Sequence, residues 1–306
     1  MTYGKSPLWE EYESTHVTAD AAADLSGFKS SDVNYKLALW SPQHNGMRYL
    51  KALIYNLAAG LSTQNWEMLK RVRHRDIGDP ITVMYNGESV CMDYLLAIFE
   101  LEFIANHLSL SGGKVLEIGA GYGRTCHALM SNYAIHSYSI VDLDNSLALS
   151  RKYLSSVLPE NEFAKISFIP AREAEESLRK ARFNLCINID SFAEMTPEAV
   201  SGYLGLIDRV CEYSYVNNPV GKYLDKSLDG HWQGDRVVQL ALSTGLLRDI
   251  IDIHDSSAVQ AQVPKFKAAY RPGQEWECVA DSWAGCWSYY WQALYRRDSK
   301  RGRQDA

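Results

Sequence analysis

The chain has no apolar run long enough to cross a bilayer, and residues 1–30 show no basic start followed by an apolar core. A membrane-spanning helix and a secretory leader are therefore not expected, and a cytoplasmic location is. Its six cysteines, Cys91, Cys126, Cys186, Cys211, Cys278 and Cys286, include no C-x-x-C pair. Scattered in this way, several within apolar elements, they read as buried reduced thiols rather than as disulfides or zinc ligands, and no metal is expected. Excess positive charge is also missing: 31 Lys and Arg against 37 Asp and Glu leave a net charge of −6. Phosphate backbones need a basic face, so nucleic acid is an unfavoured partner. The one basic cluster, Lys70 to Arg75, reads as a solvated face.

What is present is ordinary globular material. Hydrophobic residues make up 46% of the 306 residues and charged residues 22%, enough for one large or two modest domains. Nineteen tyrosines and eight tryptophans suit a ligand pocket as well as a core. Residues 1–30 are polar and read as a loose arm or a partly ordered lead-in. Apolar residues at three- and four-residue steps (Leu50, Leu53, Ile54, Leu57, Leu61) predict an amphipathic helix within 33–61. It is interrupted by a turn-rich segment from Trp40 to Gly46. A second helix is expected over 64–75, a hairpin around Asn86-Gly87, and a strong helix over 93–108.

The most informative stretch is Lys114-Val-Leu-Glu-Ile-Gly-Ala-Gly-Tyr-Gly-Arg124. Val115, Leu116 and Ile118 predict a strand buried on both faces. Gly119, Gly121 and Gly123 predict a tight turn, and the residues from Arg124 open a helix. Glycines admit a ligand close to the backbone, and the first free amides of the helix favour polar groups. A dinucleotide fingerprint runs G-x-G-x-x-G; here the glycines alternate, with Glu117 two residues ahead of the first, which disfavours a nicotinamide dehydrogenase. A second strand, 137–142, ends in Asp142, 19 residues after Gly123. That is the spacing at which a carboxylate meets a ribose diol, with Asp144 as a nearby alternative and helix capping as the bland role for either. Further strands are expected at 165–170, 183–190, 213–218, 247–254 and 287–295.

The acidic-x-Gly-x-Gly-x-Gly motif, the acid after the second strand and the closing strand pair together resemble class I S-adenosylmethionine (SAM) methyltransferases, from about Gly112 to Tyr295. Leu116 to Thr125, Ile140 to Asp144, Ser191 to Met195 and Asn217 to Pro219 are similar to sugar O-methyltransferases and aminoglycoside N-methyltransferases, including the gentamicin-pathway type. The resemblance implies a Rossmann-like α/β fold, mostly parallel with an antiparallel last strand, joined to a helical N-terminal region. By it, residues 1–110 form a mainly helical substrate or cap region and 111–295 the SAM-binding domain. Within that domain 255–285 is a cap insertion, and 296–306 is a disordered basic tail.

The resemblance also implies SAM as cofactor, S-adenosylhomocysteine as product, and a small sugar or aminoglycoside as partner, with a homodimer left open. Its cofactor positions fall on Glu117, Gly119, Ala120, Gly121, Tyr122, Gly123, Arg124, Asp142, Leu143, Ala171, Arg172, Asp190 and Ser191. Strand ends in open parallel sheets face the ligand crevice, so Asp190 and Glu194 are candidate acid–base groups, as is the loop residue His231. Trp40, His44, Tyr215, Asn217, Asn218 and Tyr223 are the candidate acceptor contacts. The expected reaction is methylation of a sugar amino group in antibiotic biosynthesis. The alternatives are O-methylation of a sugar hydroxyl on a glycosylated metabolite or polysaccharide precursor, methylation of a phenolic or polyketide oxygen, and a non-catalytic protein that keeps the fold.

Overall fold

The computed structural model describes residues 5–15, 42–223 and 234–298. The chain forms two compact units, one of residues 1–60 and 81–91, the other of 61–80 and 92–306. They do not divide at residue 110: two helices expected with the N-terminal region belong to the unit of the large sheet.

In the first unit, helix α1 (Pro7–Thr15) lies within the lead-in, the partly ordered of its two readings. Helix α2 (Pro42–Ala59) begins inside the expected turn and keeps a trace of it, a non-helical Asn45. The hairpin β1 (Thr82–Tyr85) and β2 (Glu88–Cys91) forms as the sequence predicts. Asn86 and Gly87 both take positive φ, as a two-residue turn between twisted strands requires. The Tyr55 and Tyr85 rings meet edge to face at 4.9 Å.

The second unit opens with α3 (Thr63–Arg71), whose N-terminus is capped by the Ser62 hydroxyl. Helix α4 (Met92–Ala105) is apolar on most sides and correspondingly buried. Then follow β3 (Lys114–Ile118), α5 (Arg124–Asn132), β4 (Ser137–Asp142), α6 (Asp144–Val157), the short α7 (Glu160–Phe163) and β5 (Ile166–Pro170). Helix α8 (Ala174–Leu178), β6 (Phe183–Ile189), α9 (Pro197–Val210) and β7 (Cys211–Pro219) continue the alternation. The unit ends with α10 (Asp235–Leu242), α11 (Ser256–Ala269), β8 (Trp276–Trp283) and β9 (Tyr290–Arg297).

The seven strands of this sheet run in the order β5-β4-β3-β6-β7-β9-β8. Neighbours from β5 to β7 pair in parallel, whereas β9 lies antiparallel to both β7 and β8. This is a Rossmann-like, mostly parallel arrangement with an antiparallel last strand, the chain reversing outward from β3 toward both edges. Such a reversal opens a crevice at the carboxyl ends of the central strands. Leu116, Ile118, Cys186 and Val216 from the central strands, together with Phe192 and Ile207, are buried in the core.

One expectation fails. Residues 247–254 make no strand; they hold only the bridge between Ile250 and Lys222. The sixth strand is instead β8, inside the segment read as a cap insertion, and α11 is its crossover helix. The Trp276 indole donates to Asp208 at 2.7 Å, so an aromatic read as part of a lid is a sheet residue. Of the expected tail, Arg296 and Arg297 extend β9 and residues 299–306 lie outside the described ones.

Candidate functional site

Two of the three glycines of the turn have a close neighbour. Gly119 has φ +74°, and a Cβ there would fall 2.1 Å from Ser191 Oγ and 2.4 Å from Ser191 Cβ. The Ser191 hydroxyl donates to the Ile118 carbonyl (3.1 Å) and accepts from the Asn188 amide (2.6 Å). In this structure Ser191 is thus a prop beneath the turn. A Cβ at Gly123 would sit 2.8 Å from Leu154 of α6, which is how the turn delivers α5 against its neighbour. Around Gly121, by contrast, there is open space.

Gly119→Ala is therefore expected to destabilise the fold by about 2–5 kcal/mol, as left-handed strain adds to overpacking. Urea unfolding of this variant, of Ser191→Gly and of the double variant should show the two positions coupled by more than about 1 kcal/mol. Additive effects would count against the prop.

Asp142 stands at the end of β4. Its Oδ2 accepts the Gly121 amide at 2.9 Å and its Oδ1 accepts the Leu143 amide at 2.7 Å. The carboxylate thereby ties the glycine turn to the second strand, and each oxygen keeps acceptor capacity for a hydroxyl. Beside it, the apolar Leu143 side chain is 68% exposed. Ala171 and Arg172 lie in a 3-10 turn directly after β5. The Arg172 guanidinium pairs with Asp144 and, at 3.3 Å, with Glu173. These pairs are exposed and contribute little to stability.

A cavity of about 330 Å³ lies over the turn, at the small end of the range for ligand sites. The turn, from Gly119 to Tyr122, and Glu117 form one side. Asp93, Leu96 and Glu100 of α4 form another; Ile189, Asp190, Asn217 and Tyr290 close the far end. Glu117 is 2% exposed and accepts the Tyr138 hydroxyl at 2.7 Å. Burial raises its carboxyl to about 7, with the Tyr138 hydrogen bond opposing the shift. Arg124 makes a 2.7 Å pair with Glu100 and donates to the Asp93 carbonyl at 3.1 Å. Burial also raises Glu100, and Arg124 opposes it. The Asn217 amide nitrogen donates to Glu100 at 3.2 Å, while its side-chain oxygen is buried with no partner among the described residues. Among the described residues the cavity thus faces four carboxyl groups with one cation, which is already paired.

Asp190 follows β6 with φ +63°, a conformation that costs an aspartate energy and marks an over-determined position. Its Oδ1 accepts the Tyr290 hydroxyl at 2.7 Å. Both residues also line a second cavity, of about 420 Å³, together with Glu194 and Tyr223.

The structure brings Glu117, the glycine turn, Tyr122, Arg124, Asp190 and Asn217 to one cavity, and Glu194 and Tyr223 to the next. It does not bring Tyr215 there: this side chain is fully buried and donates to Gln292 at 2.8 Å. Asn218 is likewise buried, donating to Asn188 at 2.9 Å. These two acceptor contacts are corrected to core positions: Asn218 falls on the sheet face opposite Asn217, and Tyr215 shares the face of Asn217 but lies two residues back from it, away from the strand's carboxyl end, bonded to Gln292. His44 lies in α2 of the first unit. Trp40 and His231 lie outside the described residues.

Four site residues were missed. Asp93 and Glu100 share a helix face, being seven residues apart, and an acid within so apolar a helix was a readable signal. Tyr290 and Trp287 arrive through the last strand pair, for which no local pattern exists.

A third cavity, of about 540 Å³, is lined by Arg71, Arg73 and His74 of the basic cluster. Arg75 beside it donates to the Leu69 and Val72 carbonyls, the cap a cation provides at a helix C-terminus.

No family model matches the chain, and no curated protein matches it. Solved structures do match in fold. The methyltransferase domain of bacterial CtHen1-CN is 13% identical over 66% of this chain and 99% of that one, with a TM-score of 0.48. The glycopeptide N-methyltransferase MtfA is 14% identical over 66% and 90%, with a TM-score of 0.45. A SAM-dependent methyltransferase from Aquifex aeolicus is 11% identical over 65% and 89%, with a TM-score of 0.42.

Proposed function

We propose that this chain is a SAM-dependent methyltransferase that methylates an amino group on a small polar acceptor, an amino sugar of the aminoglycoside kind. The observation that carries this reading is the charge of the first cavity. Carboxyl groups from α4, β3 and the end of β6 outnumber its single, already paired guanidinium. Buried acceptors without donors are costly; Glu117 has the Tyr138 hydroxyl as a donor, and an ammonium group would add to it and serve the Asn217 oxygen. Pyrophosphate would be repelled, whereas a ligand with an ammonium and a sulfonium fits this donor set.

In this reading Glu117 and Asn217 hold the amino-acid end of the cofactor, Asp142 its ribose hydroxyls, and Leu143 and Ala171 its base. When bound, SAM supplies a methyl group on a positively charged sulfur and would serve as methyl donor to the acceptor nitrogen, the C–S electron pair leaving with sulfur. Most of the rate then comes from alignment in a site closed to water. A protonated amine must first give up a proton, and Asp190 and Glu194 are the carboxylates placed to receive it.

Isothermal titration with S-adenosylhomocysteine and with NAD tests the cofactor. Micromolar binding of the first and none of the second is expected; the reverse would sink the reading. Mass spectrometry and NMR of products from an amino-sugar panel test the acceptor atom, and methylation of hydroxyls alone would move the assignment to oxygen.

A further inference from the structure

The second cavity remains unassigned, and its walls differ in kind from those of the first. Tyr223, Tyr289 and Tyr290 form an aromatic side, with ring centroids 5.2 Å apart for Tyr223 and Tyr289 and 5.0 Å for Tyr289 and Tyr290. Opposite them, Val237, Leu240 and Ala241 come from α10. This helix buries none of its residues, and Leu240 is 59% exposed. An apolar helix face left open toward a cavity is expensive unless something covers it.

The polar groups are few. Asp190 and Glu194 face the cavity together with Lys222. The Lys222 ammonium donates to the Ala193 carbonyl at 2.9 Å and lies 3.4 Å from the Thr244 hydroxyl. It thereby pins the loop after β6 to the segment after α10. Among the described residues, with all three ionised, these groups carry one net negative charge. Burial and the neighbouring Asp190 raise the Glu194 carboxyl, and Lys222 opposes this. No hydrogen bond to the Glu194 carboxylate exists among the described residues.

We propose that this cavity is the seat of the methyl acceptor, and that it takes a saturated ring carrying a single cationic amine. The proposal rests on the donor occupying the first cavity. Asp190 and Tyr290 line both cavities, so a nitrogen held at Asp190 lies at their junction, where a methyl group can cross. Tyr290 is a positioning residue: its hydroxyl fixes one Asp190 oxygen and leaves the other for the amine. The tyrosine faces pack on the ring and favour its charge, and the α10 residues cover its apolar edge. Neutral sugars lack the charge, and flat polyanions meet two carboxylates.

The test measures binding of glucosamine and of glucose by saturation-transfer NMR in the presence of S-adenosylhomocysteine, with calorimetry of S-adenosylhomocysteine alongside. Wild-type protein is expected to bind glucosamine at least tenfold tighter than glucose. Leu240→Trp, which fills the cavity from an exposed position, should weaken glucosamine at least tenfold. Glu194→Gln should remove most of the preference for the amine. Neither variant should move the affinity for S-adenosylhomocysteine by more than about twofold.

Absence of glucosamine binding to wild-type protein, or equal binding by Leu240→Trp, overturns the seat. Failure of S-adenosylhomocysteine to bind wild-type protein overturns the donor assignment instead, and the two results are read separately.

Discussion

Arg124→Met is expected to lower the stability of the fold by about 3–5 kcal/mol. Glu100, whose side chain is 6% exposed, would keep its charge and lose the guanidinium 2.7 Å away. The Asn217 amide at 3.2 Å is then the donor that remains. One hydrogen bond cannot offset the desolvation of a carboxylate. Glu100 therefore takes up a proton in the variant, and the penalty depends on pH. It is largest above neutrality, where ionisation in the unfolded chain competes most strongly. It fades toward pH 4–5, where the unfolded carboxyl is protonated as well. Adding Glu100→Gln should recover most of the loss, since a neutral amide needs no counter-ion. Urea unfolding at pH 5 and pH 8 checks both statements. A cost below about 1 kcal/mol at pH 8, or one that does not change with pH, would mean that water reaches Glu100 and the pair is dispensable.

That pair also marks the boundary of what the sequence makes legible. The glycine corner, Glu117 and Asp142 could be read because they belong to one local unit, in which strand, turn and helix follow within a few residues. Asp190 could be read because a strand end in a parallel sheet has a fixed relation to the crevice. Residues 247–254 misled because Leu247, Ile250, Ile251 and Ile253 form an apolar run of strand length, yet Leu247, Ile251 and Ile253 pack into the core as irregular chain, Ile250 stays exposed, and the segment holds a single bridge. The true sixth strand was hidden because Glu277 and Asp281 interrupt it. In the fold Glu277 pairs with Arg296 across to β9, and Asp281 pairs with Lys267 and accepts the Trp291 indole. Those charges are satisfied by partners that only the folded sheet supplies. Tyr290 is a similar case, since its partner Asp190 is 100 residues away and the meeting depends on β9 running antiparallel beside β7.

The largest effect on ligand binding is expected at Glu117. This carboxyl lies in the core of the site, and burial raises it to about 7, so the ligand-free protein at neutral pH holds a mixture of its protonated and ionised forms. A cationic ligand can recruit only the ionised form, and binding must therefore release a proton wherever the carboxyl starts protonated. The affinity for S-adenosylhomocysteine, whose ammonium group is retained, should rise up to tenfold per pH unit between pH 5.5 and 7 and level off above 7.5. Glu117→Gln keeps the shape and the hydrogen bond to Tyr138 but can no longer ionise. It should weaken binding by about 2–4 kcal/mol at pH 8, some 30- to 1,000-fold, and abolish the pH dependence. The same carboxyl gives the ligand-free fold a term of opposite slope. With a folded value above the unfolded one, it contributes stability in full below pH 4.5. That contribution, about 3 kcal/mol, is lost as pH rises through 7. The glutamine variant lacks this term, so it should lose less stability than wild-type protein between pH 5 and 8 while binding the ligand worse. Calorimetry in two buffers of different ionisation heat counts the released proton directly. A wild-type affinity flat from pH 5.5 to 8, with no proton released, would show that Glu117 does not hold the cationic end of the cofactor.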